Sequence, residues 1–288
     1  EGDMKMLYMG TAAAEGWPAV FCRCGACEEA ARRGGKNIRT PSQALVNDDL
    51  LLDLPPDTYL HKLQQGLDLS AVAHLVITHW HMDHFYPQEL TIRGGCYSHN
   101  MKSTDLHIYC GADAKEFFDS GVAWEMEKEL ADHLHWHVLT AFQPVEAGPY
   151  RITPLPAHHM LERPGSTPFF YLIEETKEGG KSVLYCHDTG HFSEEVWDFL
   201  SRYGKAVDLI SFDCTGGPVK NGPTSGHMGY DDNLLMREKL RETGICGPDT
   251  LCVANHFSHN GKMLHEELCE TLEPLGFQVS WDGMTLDL

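Results

Sequence analysis

Leu75-Val76-Ile77-Thr78-His79-Trp80-His81-Met82-Asp83-His84 is the stretch on which the fold turns. An apolar run breaks into three histidines and an aspartate within six residues. A strand ending this way delivers imidazole and carboxylate donors to the mouth of a sheet, within reach of a metal, solvent and substrate. Side chains two apart in an extended turn point the same way. His79 and His81 can therefore grip one metal while Asp83 and His84 face a second, roughly 3.5 to 4 Å away as in two-metal hydrolases. A chance cluster of polar loop residues, the alternative, gives no reason for this spacing.

The bulk properties narrow what such a site can serve. A chain of 288 residues with 42% apolar and 22% charged residues is an ordinary globular protein able to bury a large core. It contains no uninterrupted apolar run of about 18 residues, which argues against a membrane span. Twenty-two basic against 42 acidic residues give a formal charge of -20. That surface repels nucleic acid and counts against tRNA processing. A small phosphate ester remains admissible, because bound divalent cations set the local field. No secretory pattern shows at Glu1-Gly2-Asp3, although the chain begins without Met and a removed leader stays open. Of ten cysteines, Cys22, Cys24 and Cys27 crowd together while the other seven are scattered, mostly in apolar contexts. The usage points to a reducing cytoplasm rather than a disulfide framework.

Along the chain, Met4–Met9 reads as a strand, and Gly16-Trp17-Pro18 leads into the three cysteines. Their spacing offers three thiolates to a tetrahedral zinc whose fourth ligand must come from elsewhere, or else a disulfide with a spare thiol. Short strands around Asp48-Asp49 end at Asp53, which is either a turn residue or a carboxylate supporting a metal-binding histidine. A helix over Thr58–Leu67 precedes the histidine cluster. Leu106–Cys110 is a strand, and helical segments run from Ala112 to about His133. His133-Leu134-His135-Trp136-His137 could chelate a metal, but no carboxylate is evident at a matching position, so it reads as an exposed face or pocket wall. Tyr150–Pro156 delivers Ala157-His158-His159, one of which should be a metal ligand. Phe169–Glu175 and Ser182–His187 form a hairpin around Gly179-Gly180 that ends at Asp188, placed to bridge two metals. Ser193 caps a helix closed by Gly204. Strands at Val207–Phe212 and Leu251–Ala254 end at Asp213 and at Asn255-His256-Phe257-Ser258-His259. A last helix spans about Met263–Leu275, and Trp281-Asp282-Gly283-Met284 reads as a hairpin turn. Ligand residues recur at strand ends, which suits an α/β sandwich of one domain over 1-288, with its site along one edge of the sheets.

His79-x-His81-x-Asp83-His84, followed by His159, Asp188 and His256, resembles the metallo-β-lactamase fold superfamily. The resemblance implies a four-layer αβ/βα sandwich. It also implies a first metal on His79, His81 and His159, a second on Asp83, His84 and His256, and Asp188 as the bridge. Gly10-Thr11, Gly16-Trp17-Pro18, Cys22-x-Cys24-x-x-Cys27, Pro154-Leu155-Pro156, Asp188-Thr189, Asp213-Cys214, His256-x-x-His259 and Asp282-Gly283-Met284 are similar to a narrower family. This is the PhnP-type phosphoribosyl 1,2-cyclic phosphate phosphodiesterases of bacterial carbon-phosphorus lyase (phosphonate) metabolism. That likeness makes His259 the fourth ligand of a structural zinc, with Cys22, Cys24 and Cys27 in a loop at about 16-30, and favours His159 over His158 as metal ligand. The cysteine segment also resembles the B protein of pyrroloquinoline quinone biosynthesis. In that pattern the histidine cluster is altered, whereas all four of its ligands are present here. Segments around Tyr97–Ser103 and Glu162–Pro168 depart from the phosphodiesterase pattern, both expected near the pocket, and His187 and His191 have no role by resemblance.

The implied chemistry is attack on a small cyclic phosphate ester by a hydroxide bridging two divalent ions, manganese favoured by resemblance and zinc or iron acceptable. His227 matches the family's catalytic histidine and either protonates the leaving alkoxide, caps a helix or orients substrate. Competing readings are a lactone, thioester or lactam hydrolase, or a biosynthetic or binding protein that keeps its metals structurally. The expected partner is a small-molecule phosphate ester, with no nucleic acid and no membrane; a homodimer is allowed.

Overall fold

A computed structural model describes residues 4–288; Glu1-Gly2-Asp3, where a leader was considered, lie outside the described residues. The first sheet takes β1 (Lys5–Gly10), β2 (Gln43–Val46), β3 (Leu50–Leu52), β4 (His74–Val76), β5 (Leu106–Cys110) and β6 (Leu134–Val138). The second takes β7 (Val145–Ala147), β8 (Tyr150–Pro156), β9 (Phe169–Glu175), β10 (Ser182–Cys186), β11 (Leu209–Asp213), β12 (Leu251–Asn255) and β13 (Gln278–Val279). A last strand, β14 (Met284–Asp287), returns to the first sheet. The orders are β14-β1-β2-β3-β4-β5-β6 and β13-β12-β11-β10-β9-β8-β7. In each sheet one side is antiparallel and the other parallel, β3 to β6 and β10 to β13 being the parallel runs.

Strand alternation divides the core. Met6, Tyr8, Val46, Leu52 and Val76 meet Ile152, Tyr171, Val183 and Tyr185 between the sheets. Leu7, Met9, Leu45, Leu75 and Ile108 point outward. The helices are α1 (Gly25–Arg33), α2 (Thr58–Gln65), α3 (Ala112–Gly121), α4 (Lys128–Ala131), α5 (Glu194–Tyr203), α6 (Tyr230–Glu242) and α7 (His265–Leu272). Ala114 and Phe118 of α3 cover the outer face of the first sheet. Val196, Leu200, Met236, Leu240, Leu268 and Leu272 of α5, α6 and α7 cover that of the second. The result is a four-layer αβ/βα sandwich. Helix α5 follows from its ends: Ser193 Oγ accepts from Val196 N at 3.4 Å, and Gly204 turns left-handed at φ 57°.

The expected hairpin at Trp281–Met284 does not form. β13 pairs with β12 in one sheet and β14 with β1 in the other, so Asp282-Gly283 carries the chain between sheets. Thr11 Oγ1 and Thr40 N and Oγ1 claim the Asp282 carboxylate, which fixes the crossing. A second expectation fails at 97–103. Ser103 N bonds Ser70 O and Lys102 pairs with Asp68, at the end of the first sheet where β4 begins, away from the histidine cluster beyond its other end. The 162–168 segment does lie beside that cluster, since the Arg163 guanidinium sits 4.8 Å over the Trp80 ring.

Candidate metal centre

Five strand ends deliver the site. The turn after β4 supplies His79, His81, Asp83 and His84; β8 leads to His159, β10 to Asp188, β11 to Asp213 and β12 to His256. The side chains gather into two groups, His79 with His81 and His159, and Asp83 with His84, Asp188 and His256, the ligand atoms within each lying within 4.8 Å of one another. Asp188 joins the groups. Its Oδ2 lies 3.7 Å from both His79 Nε2 and His159 Nε2 and 3.1 Å from His84 Nε2, while Oδ1 lies 3.0 Å from His256 Nε2.

The donor atoms fit divalent cations. The Nε2 atoms of His79, His84, His159 and His256 and Oδ1 of Asp188 are buried without a hydrogen-bond partner, a costly state unless a cation takes up their lone pairs. Burial drives His79 well below the ordinary imidazole value and His159 down to about 4, leaving both neutral, the form that ligates metal. For His84, burial opposes protonation but the carboxylates of Asp188, Asp83 and Asp53 outweigh it and raise the value well above normal. The same field would favour a divalent cation, and His84 would give up that proton to ligate it.

The opposite ring nitrogens are held from behind, which fixes tautomer and aim. His84 Nδ1 lies 2.6 Å from Asp53 Oδ2, and Thr78 N and Oγ1 bond the same carboxylate. Thr78 Oγ1 is also 2.9 Å from His79 Nδ1. His159 Nδ1 faces Gly226 O at 3.1 Å, and His256 Nδ1 faces Thr215 Oγ1 at 2.7 Å. Of the two readings of Asp53, the supporting carboxylate is the one built. Asp53 and His256 hold left-handed backbones at φ 66° and 68°, a conformation costly for non-glycine residues and found where packing and hydrogen bonds enforce it.

His227 stands at the rim. Its Nδ1 is 2.9 Å from Asp213 Oδ2, and its ring centroid is 4.8 Å from that of His159 and 5.7 Å from that of His256. Burial disfavours the charged ring, yet the Asp213 carboxylate prevails and raises it to about 9. The loop bearing His227 is anchored by Asp232. This buried carboxylate accepts from His191 Nε2 at 2.8 Å, Asn221 N at 3.1 Å, Gly222 N at 3.2 Å and Gly229 N at 2.9 Å. One side chain thus ties the segment after Asp188 to both ends of the His227 loop. His158 stands outside the metal groups, its N–H bonded to Thr189 Oγ1.

Cys22, Cys24, Cys27 and His259 converge as a second centre. Cys27 sits in the first turn of α1, and His259 Nδ1 lies 3.6 Å from Cys22 Sγ and 3.5 Å from Cys24 Sγ. The hydrogen bond to His259, ahead of that from the Cys27 backbone, lowers the Cys24 thiol to about 6, so thiolate is available to a zinc ion. On its far side His259 Nε2 meets Glu15 Oε1 at 3.2 Å.

Thr78, Thr215, Asp232, His191 and Glu15 were not legible as supports. Thr78 adjoins His79 and Thr215 follows Asp213 by two residues, which is a weak signal; Glu15 had none. Asp232 is three residues past Gly229, the N3 position of α6, where a carboxylate commonly accepts from the backbone N–H before the helix. The His133–His137 stretch also needs correcting. Parallel register of β5 with β6 sets Asp105 beside it, with Oδ1 3.1 Å from His133 Nδ1 and 2.9 Å from His135 Nε2, so a carboxylate is present after all.

Comparison with known proteins places this geometry. A model of the beta-lactamase superfamily domain matches residues 50–246. The coenzyme PQQ synthesis protein B of Klebsiella pneumoniae (strain 342) is 23% identical over 332 aligned positions, covering 99% of this chain and 98% of the relative. Among solved structures, a diphosphatase from the PhnP family aligns with a TM-score of 0.74 at 18% identity, over 99% of this chain and 97% of its own. Zinc-bound PqqB from Methylobacterium extorquens aligns at 0.73 and 20% identity, over 99% and 100%. No helix among the described residues is long and apolar enough to cross a membrane.

Proposed function

Because the chain belongs to the beta-lactamase superfamily, we propose that it is a metal-dependent hydrolase, a dinuclear phosphodiesterase opening a small cyclic phosphate ester of the phosphoribosyl 1,2-cyclic phosphate kind. The observation that carries this reading is the placing of Asp188 between two histidine-rich groups whose inward nitrogens lack other partners. His79, His81 and His159 would hold one ion and Asp83, His84 and His256 the other, with Asp188 shared. Two bound divalent ions, manganese favoured and zinc or iron acceptable, supply charge to the phosphoryl oxygens and activate water at neutral pH. Cys22, Cys24, Cys27 and His259 would hold a structural zinc.

The chain's own groups do the rest. Asp53 and Thr78 fix the rings of His84 and His79, so the ligand set is rigid before substrate arrives. Asp213 keeps a proton on His227 and turns its Nε2 toward the metal groups, where it donates to the departing alkoxide. Asp232 holds the loop that carries this histidine. Opening a cyclic ester needs one proton on the freed oxygen, and His227 is the group at the rim that carries one.

A second reading is a role like that of the coenzyme PQQ synthesis protein B, favoured by the end-to-end match to that relative. The deciding experiment gives metal-replete protein a five-membered cyclic phosphodiester, a lactone and a lactam in parallel. Phosphodiester turnover that disappears on chelation is expected. Cleavage of the lactone or lactam alone sinks the phosphodiesterase, and metal binding with no hydrolysis supports the second reading.

A further inference from the structure

Outside both metal groups, one pair of nucleophilic side chains stands in contact. Cys246 Sγ lies 3.8 Å from Cys252 Sγ. Among the described residues no other cysteine sulfurs outside the zinc loop approach like this: Cys96 is exposed by itself, Cys110, Cys186 and Cys214 are buried apart, and Cys269 faces His265. The two belong to different elements. Cys246 sits where α6 closes, its N–H bonded to Leu240 O at 3.0 Å. Cys252 lies in β12 opposite Ile210. The turn between them is Gly247-Pro248-Asp249-Thr250-Leu251, pinned by Gly247 N to Thr250 Oγ1 at 2.9 Å.

We propose that Cys246 and Cys252 are a peroxide-sensitive dithiol that closes to a disulfide, stapling the end of α6 to the start of β12. The sulfurs need to approach by a little under 2 Å to reach bonding distance, about 2.05 Å. The partners are unequal. Cys252 hydrogen-bonds Cys246 and lowers it to about 7, against burial, and the Arg241 and Arg237 cations act in the same direction. Cys252 is raised, first by that hydrogen bond and then by burial. Cys246 is therefore the attacking thiolate and Cys252 the resolving thiol.

The chemistry balances with hydrogen peroxide as oxidant. The Cys246 thiolate attacks one peroxide oxygen, an S–O bond forms, the O–O bond breaks, and the leaving hydroxide takes a proton to become water. The Cys252 sulfur then attacks Cys246, the S–S bond forms, the S–O bond breaks, and hydroxyl leaves with the Cys252 proton as a second water. Two thiols lose two electrons and one peroxide gains them. With 6% and 5% of their surface exposed, both cysteines keep some contact with solvent, through which a small oxidant such as peroxide reaches them.

Trypsin isolates the pair cleanly, because residues 242–262 contain no internal lysine or arginine and none of the zinc-loop cysteines. Metal-replete protein is titrated with peroxide, quenched with iodoacetamide and digested. The 242–262 peptide is expected to become lighter by two hydrogens than its reduced form, to lose both alkylation sites, and to regain them after dithiothreitol. In Cys252→Ser, Cys246 should stop at sulfenic acid and be trapped by dimedone. If both cysteines are still alkylated once exposed Cys96 has been oxidised, or if Cys246 proceeds to sulfinic acid beside an alkylated Cys252, the proposal is overturned.

Discussion

His84 Nδ1 rests 2.6 Å from Asp53 Oδ2, and neither side chain is exposed to solvent. The carboxylate donates nothing to the metal groups itself, yet it decides which His84 nitrogen faces them. Asp53→Ala should therefore weaken binding of one catalytic ion by roughly 10- to 100-fold and leave the ion at Cys22, Cys24 and Cys27 in place. Chelator competition with metal analysis reads both at once. Unchanged affinity for the catalytic ions would reduce Asp53 to a packing residue.

Asp188 is the ligand proposed to be shared, so Asp188→Ala should abolish turnover of a cyclic phosphodiester while the zinc-loop metal stays bound. Kinetics paired with elemental analysis test this. Residual turnover within tenfold of the parent would contradict the shared role.

Cys24→Ser removes one of three thiolates from the loop against α1. It should shed one zinc per chain and lower the melting temperature, because structural zinc contributes to folding. Zinc content equal to that of the parent would mean that the loop does not hold the ion.

Asp232→Ala leaves the N–H groups of Asn221, Gly222 and Gly229 and the His191 ring without their acceptor. A displacement near 1 Å at a catalytic group can cost on the order of 100-fold in rate, and kcat should fall on that scale. Asp232→Asn, which retains an acceptor, should lose less. Wild-type kcat in the alanine variant would show that the His227 loop holds its position without it.

Buried His61 is bonded to Gln43 Oε1 and Thr40 Oγ1, and burial holds it down to about 4 from 6.5. The unfolded chain protonates first as pH falls, so stability is whole above about 6.5 and is lost progressively toward 4. The full shift corresponds to about 3 kcal/mol. Unfolding free energies at pH 7 and 5 should differ less in His61→Gln than in the parent; equal differences would remove His61 from the acid response.

Much of this site was readable in the chain because metal chemistry uses few residue types at short spacings. His79 to His84 announced itself, and strand-end reading reached Asp188 and the His158-His159 pair, while the choice of His159 and the role of His256 came from the family resemblance. What stayed hidden depends on contacts between distant segments. Asp105 meets His133 and His135 only because two parallel strands align, and Asp232 reaches His191 only because α6 abuts the β10 loop. The Trp281–Met284 turn misled for a related reason. Asp-Gly favours a sharp reversal, but which sheet receives the next strand is set by the open edge of β1, which no local signal records.

That edge has a consequence for how the molecule is made. Lys5 to Tyr8 pair with residues 284–287, so β1 waits for a partner made far later in the sequence before its outer row of amides and carbonyls is covered. A nascent chain holding an unpaired strand is open to pairing with a neighbour. Assembly of the first sheet is therefore gated by the appearance of β14, and the vulnerable interval falls before that strand is available, when the two sheets are not yet laced together at Asp282.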